Sequence, residues 1–245
     1  MRSWLRSYWL LVRWNLLRLR STLPLLFVVQ TLLGAGVVIG FSFLVPQMDS
    51  ATMLYLTTGA PTIVFITVGM VVLPQIVAQQ KLTGIFDYLR AMPVPRLAML
   101  AADASVWIGV ALPGVAAALW VAALRFHLAL RVSPLVVPAV CLVAATSVAV
   151  GYAIGYALKP AVTGIVTQML VVIALLFAPV NFPADRLPGW LAEAHRWLPF
   201  TYMAQVGRDT LSVPPGGVPL APFAILAAWC VVGLAIAYRV MTRRP

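Results

Sequence analysis

The sequence predicts an all-α integral membrane protein with six spanning helices, and three observations carry that expectation. Of its 245 residues, 62% are hydrophobic and only 9% are charged, whereas a soluble domain carries roughly 25% charged residues. Apolar stretches of the length that crosses a bilayer, about 20 residues, recur along the chain. They do not alternate with period two, as barrel strands do. Helices are then the way to satisfy backbone polar groups in lipid.

The first element precedes the spans. In RSWLRSYWLLVRWNLLRLR (2–20), a helical projection puts Arg2, Arg6, Arg13 and Arg20 within an arc of about 40°. Arg18 falls on the opposite side, and Trp4, Tyr8, Trp9, Trp14 and the leucines fill most of the remainder. A narrow cationic edge beside a wide aromatic face describes a helix lying in the membrane interface, its arginines against anionic headgroups. The alternative is a positively charged flank without helix. Arginines before an apolar run also mimic a signal peptide, but the run from Leu23 to Val45 is too long for one, and an uncleaved first span is expected.

Six spans follow, at 23–45, 53–78, 98–124, 133–158, 161–180 and 219–240. With the N-terminus inside, the cytoplasmic flanks hold Arg2, Arg6, Arg13, Arg18, Arg20, Lys81, Arg90, Arg96, Lys159, Arg239, Arg243 and Arg244. The opposite side keeps Arg125, Arg131, Arg186, Arg196 and Arg208. This asymmetry predicts cytoplasmic termini and explains the net charge of +11 without nucleic acid. Prolines at 24, 61, 74, 113, 138, 179 and 222 lie within these spans as kinks or hinges. Cys141 and Cys230 lie in apolar runs and read as small buried hydrophobes.

Between the second and third spans the chain interrupts itself with QQKLTGIFDYLRAMPVPR (79–96). After Gly84, the residues Ile85, Tyr88, Leu89 and Met92 recur at i, i+3, i+4 and i+7 and share a helical face. Pro93 and Pro95 stop the helix. Such a helix suits a groove on a soluble partner, or simply lies on the bilayer. Between the last two spans, Trp190, Leu191, Ala194, Trp197 and Leu198 fit one face of a short helix. Glu193 and Arg196 fit the other, and Pro188 and Pro199 bracket it.

No phosphate-binding loop of the G-x-x-x-x-G-K-[ST] kind occurs, and neither lysine, Lys81 or Lys159, follows a glycine. No H-E-x-x-H or G-x-S-x-G occurs either, and His127 and His195 read as isolated interfacial residues. The chain is expected not to be an enzyme and to bind no metal. The span centres lack the ionisable residues that ion-coupled carriers use. Their polarity is mild, with Thr58, Thr62, Thr163, Thr167 and Gln168 as candidate pathway-lining residues. The same residues can instead bond between helices or to their own backbone. A weakly polar lining suits an amphipathic or apolar substrate such as a drug, an antibiotic or a lipid.

Two segments carry a resemblance. GIFDYLRAMPVPRLAMLAAD (84–103) resembles the region after the second span of ABC-2-type transporter permeases, through Gly84, Asp87, Leu89, Pro93, Val94 and Arg96. Gln80 stands where many members have a glutamate, and Pro95 replaces a serine. FPADRLPGWLAEAHRWLPFTYMAQVGRDTL (182–211) is similar to the family's segment between spans five and six, through Phe182, Pro183, Leu187, Pro188, Trp190, Leu198, Pro199, Thr201, Tyr202 and Arg208. The resemblance covers essentially the whole chain, read as one transmembrane domain, 1–245.

It implies an interfacial elbow helix at 2–20, with Arg2, Trp4, Arg6, Trp9, Arg13 and Arg20 at the membrane surface. It implies a coupling helix at 80–96, with Gln80, Gly84, Ile85, Asp87, Tyr88, Leu89, Met92, Pro93 and Arg96 toward an ATP-binding subunit. It also implies short extracellular helices at 182–211, with Pro188, Trp190, Pro199, Tyr202 and Arg208 as a gate. Two permeases, alike or paralogous, and two ATPases carrying ATP and Mg would form a cell-membrane exporter. Alternatives are a carrier or channel acting alone, and a scaffold or sensor subunit.

Overall fold

The computed structural model describes residues 2–44, 49–92, 94–126, 132–214 and 216–242. Their helices are α1 (Arg2–Leu19), α2 (Leu23–Leu44), α3 (Ser50–Leu82), α4 (Ile85–Ala91), α5 (Arg96–Phe126), α6 (Val136–Ala157), α7 (Pro160–Phe177), α8 (Gly189–His195), α9 (Pro199–Leu211) and α10 (Ala221–Thr242). No strand occurs among the described residues. Six of these helices, α2, α3, α5, α6, α7 and α10, are long and apolar enough to cross a membrane. Pro93, His127, Arg131, Arg243 and Arg244 lie outside the described residues, as does the side chain of Arg2.

The 22 residues of α2 rise about 33 Å at 1.5 Å per residue, close to the hydrocarbon thickness of about 30 Å. With 33 and 31 residues, α3 and α5 are longer and tilt or project. The 3₁₀ turn Ala184–Arg186 and the short helices α8 and α9 lie between α7 and α10.

The proline positions sort by cost. Pro24, Pro138 and Pro222 occupy first turns, where the absent N–H has no partner to lose. Pro61 and Pro113 are interior. Pro74 follows a π-helical stretch, Thr67–Val72, inside α3, and such a widened turn accommodates a proline ring that would strike the preceding carbonyls. Pro179, expected inside the fifth span, lies instead beyond the helix: α7 ends at Phe177 after its own π turn, and Ala178–Asn181 form a buried loop.

Helices in lipid gain little from apolar burial against one another, so small residues that allow close approach carry the packing. Gly34 of α2 meets Gly114 of α5, Gly151 of α6 meets Gly69 of α3, and Gly233 of α10 meets Ala149 of α6. At each of these glycines a Cβ would run into backbone of the opposite helix. The result is a core around α3, buried along most of its length. α5 holds α2 and α1 on one flank of it, and α6 holds α10 on the other. α7 packs on the second half of α3, and α9 on its first half.

α1 lies against α5. Its inward stripe is Tyr8, Leu11, Val12, Asn15 and Leu19, at helical spacing. The Tyr8 hydroxyl and Ser105 Oγ are hydrogen-bonded at 2.7 Å. Arg6, Arg13 and Arg20 are exposed, with Trp4, Trp9, Leu10 and Leu17 also at the surface.

Candidate functional site

The first candidate surface is built where α3 ends. Gly84 turns the chain with φ +74°, a left-handed conformation that costs glycine little, and α4 then runs for seven residues. So short a helix does not hold itself in water; side chains pin it. Phe86 is buried and meets Tyr156 of α6 at 5.2 Å between ring centres. Tyr156 in turn stacks on Tyr152 at 5.2 Å.

Two cations face the Phe86 ring, Lys81 Nζ at 5.4 Å and the Arg90 guanidinium at 5.7 Å, a favourable arrangement with the ring quadrupole. Lys81 Nζ also donates to the carbonyls of Tyr156 and Leu158, at 2.8 and 2.9 Å, which end α6. Arg96, opening α5, donates back to the Leu89 carbonyl at 3.1 Å and to that of Arg90. These carbonyls of the last turn have no intrahelical partner, so Arg96 caps α4.

The apolar face expected at 85, 88, 89 and 92 therefore divides. Leu89 and Met92 are partly buried against the core, while Ile85 and Tyr88 are exposed, Tyr88 at 61%. Asp87 is exposed beside them, 3.9 Å from Arg90. Phe86, which the spacing did not single out, is the anchor. Gln80 is buried rather than available to a partner. Its amide, turned with oxygen toward α1, accepts from the Arg18 guanidinium at 3.1 and 3.2 Å. One helix over, Asn15 donates to Asp103 of α5. A polar knot of Asn15, Arg18, Gln80 and Asp103 thus ties α1 to α3 and α5 just behind α4.

The second surface lies at the far end of α3. Asp49 caps that helix by accepting from the Thr52 amide at 3.1 Å; the Thr52 side chain first, and then this amide, hold its carboxyl below the usual carboxylate range. Arg208 of α9 stacks on the Tyr55 ring, 3.6 Å from its centre, and donates to the Val180 carbonyl at 3.0 Å. Tyr202 is partly buried and donates to the Arg196 carbonyl at 2.8 Å. Pro199 opens α9 and is buried, whereas Pro188 and Trp190 are exposed. His195 is buried without a hydrogen-bond partner on either ring nitrogen. Burial keeps it below the ordinary histidine value.

The sequence pattern of ABC-2 family transporter proteins matches residues 46–239. The match takes in both surfaces. The chain belongs to the ABC-2 transporter family. A comparison with curated proteins gives no match. Family membership makes this chain a multi-pass membrane protein and implies an ATP-binding partner of the ABC class. Among the described residues of this ABC-2 protein, α4 and the α8–α9 segment with its 3₁₀ turn are the non-spanning helical pieces set between spans.

The candidate pathway residues of the ABC-2 chain fall in two places. Thr58 and Thr62 line a small, partly open cavity of about 50 Å³ with Phe65, Val115, Val143 and Thr210, room for a water or two. Their hydroxyls donate to the Leu54 and Thr58 carbonyls at 2.8 and 3.4 Å. Thr163 and Thr167 are buried on α7 and donate to the Lys159 and Gly164 carbonyls at 3.1 and 3.0 Å. Thr167 Oγ1 also accepts from Gln75 Nε2 at 3.0 Å. Gln168 is exposed, as are Gln75 and Gln79 of α3, which edge an open groove between α3 and α7. The sequence carried one signal for the missed knot: Arg18 stood alone on the side of α1 opposite the other arginines.

Proposed function

We propose that this ABC-2 protein is the membrane-spanning subunit of an ATP-driven exporter. In this reading α4 receives the movement of a separate ATP-binding subunit. The observation that carries it is the division of α4: Phe86 is locked to α6 and α3, while Ile85, Asp87 and Tyr88 stand outward. A helix pinned from behind and exposed in front transmits a push to the elements that pin it, here the ends of α3, α5 and α6. Helix-in-groove docking reads such outward apolar anchors.

The chain then catalyses nothing itself, and ATP with Mg belongs to the partner. The arginine-rich α1 and the α4 end face the cytoplasm by the positive-inside bias, in the cell membrane. The α8–α9 segment lies outside and acts as a gate. Gln75, Gln79 and Gln168 are polar groups exposed on spanning helices, and such groups face a water-filled cavity or a neighbouring protein rather than lipid. They favour a second permease copy across the α3–α7 groove, the two enclosing a weakly polar path for an amphipathic or hydrophobic substrate.

The test is co-expression with the ABC ATPase encoded nearest the gene, purification in mild detergent, and mass measurement of the complex. Two permeases with two ATPases are expected, and Tyr88→Asp and Ile85→Asp should release the ATPase while the permease remains intact. A stable permease that binds no ATPase, or variants that couple normally, would overturn the assignment and favour a carrier or scaffold acting alone.

A further inference from the structure

The outer end of α3 holds an arrangement that the coupling argument does not use. Thr52, Tyr55 and Gly59 follow one another at i, i+3 and i+7 and so share one face of α3. Each carries a different neighbour. Arg186 donates from its Nη2 to Thr52 Oγ1 at 3.3 Å. Arg208 stacks on Tyr55 at 3.6 Å. The Val180–Asn181 backbone and the Asn181 amide press on Gly59, where any Cβ would strike them. Successive turns put the three levels about 5 Å apart.

The donors on this face outnumber their acceptors. Neither arginine forms an ion pair; among the described residues the ion pairs are Asp87 with Arg90 and Glu193 with Arg196. The acids around them are Asp209, adjacent to Arg208 in the chain, Asp185, adjacent to Arg186, and Asp49 at the α3 cap, close enough to feel the Arg186 charge. The Arg208 Nε–H is buried without an acceptor, and the buried Asn181 side chain has no partner for either its NH₂ or its oxygen. Buried donors left without acceptors cost free energy, more so when charged. Exposure falls from Arg186, which is exposed, through Arg208, partly buried, to Asn181, buried. The donors therefore run from the surface inward.

We propose that this column, Arg186, Arg208 and Asn181 along the Thr52–Tyr55–Gly59 face, binds the oxyanion headgroup of a membrane amphiphile, a phosphate or a carboxylate. A guanidinium fork matches such a group in geometry as well as charge. Arg208 is fixed in orientation by the Tyr55 ring, and the Asn181 NH₂ supplies a neutral donor beneath it. Headgroup depth is indicated by Trp190 and Trp197 of the same outer segment, which are 74% and 78% exposed, as tryptophans are at a membrane interface. The site needs neither the ATPase nor a second copy, so its failure and that of the exporter reading are separate results.

The test uses the purified full chain and three probes: dioctanoyl phosphatidylglycerol, dioctanoylglycerol of the same chain length without phosphate, and inorganic phosphate. Binding is read by native mass spectrometry and by the shift in melting temperature. The expected result is at least a tenfold preference for the phosphatidylglycerol over the diacylglycerol. Arg208→Gln should lose that preference, while Arg196→Gln, which removes an arginine already paired with Glu193, should keep it.

Asn181→Asp supplies a carboxylate beside Arg208. It should raise the melting temperature of the lipid-free protein and abolish the lipid-induced shift, and this also guards against a misfolded Arg208→Gln. Competition by millimolar inorganic phosphate assigns the site to the anion itself; none assigns it to a headgroup on its tails. Equal binding of the two lipids, or unchanged preference in both Arg208→Gln and Asn181→Asp, overturns the proposal.

Discussion

Replacing Phe86 by alanine tests how α4 is held. Phe86 is 7% exposed, lies 5.2 Å from Tyr156 and has Lys81 and Arg90 over its ring. Removing a buried phenylalanine side chain costs about 3–5 kcal/mol. The lower end applies at the edge of the bundle, where solvent and neighbouring side chains refill the space. α4 has seven residues and no other fully buried side chain, so the loss falls on its own docking rather than on the six spans. At 1.4 kcal/mol per decade, about 3 kcal/mol raises the detached population of α4 about a hundredfold.

Hydrogen exchange read by mass spectrometry over residues 84–92 measures this directly. Protection there should drop about a hundredfold, with α2 and α6 unchanged. Tyr88→Ala removes an equally large ring that points outward and should leave the same peptide protected. A drop of less than about fivefold in Phe86→Ala would refute the anchor, as would an equal drop in Tyr88→Ala.

Three further outcomes are expected. Asp103→Ala leaves Asn15 without its acceptor and Arg18 without a nearby acid, a loss of about 1–3 kcal/mol; trypsin should then cut at Arg13 and Arg18 several times faster while cleavage elsewhere is unchanged. Gly151→Leu drives a side chain into the backbone at Gly69; overpacking of this kind costs about 1–3 kcal/mol or more, and the monodisperse peak in detergent should shrink severalfold, whereas Gly164→Leu, facing open space, should not change it. Because burial keeps folded His195 below its ordinary value of 6.5, the unfolded chain takes up a proton at a pH where the folded chain does not. The stability tied to this group is therefore complete above 6.5 and declines as pH falls from there toward the folded value. Melting temperature measured from pH 8 to 5 should fall less steeply in His195→Leu than in the parent.

The six spans were legible because length and apolarity in lipid leave few alternatives; their boundaries moved by a few residues. Pro179 moved from helix to loop, because α7 unwinds through a π turn at Ile173–Phe177. α4 itself was legible from Gly84 and its apolar spacing. Its orientation was not, since what turns Phe86 inward is a tyrosine 70 positions away on α6 and a lysine on α3. Asn15 and Asp103 are likewise separated by 88 residues; nothing local marks them as partners. The threonines of the spans read as polar, but hydroxyl bonds to their own helix backbones take up much of that polarity.

α3 reaches from Thr52 and Tyr55, under the two arginines, to Lys81, beside Phe86. Both surfaces are thus fastened to one rod, and along it the hydrogen-bond register changes once, at Thr67–Val72. A rod with a single soft joint resolves an applied twist into two parts: what the joint absorbs and what it passes on. The looser turn, with Gly69 seated against Gly151, is where the two ends are either geared together or released from each other.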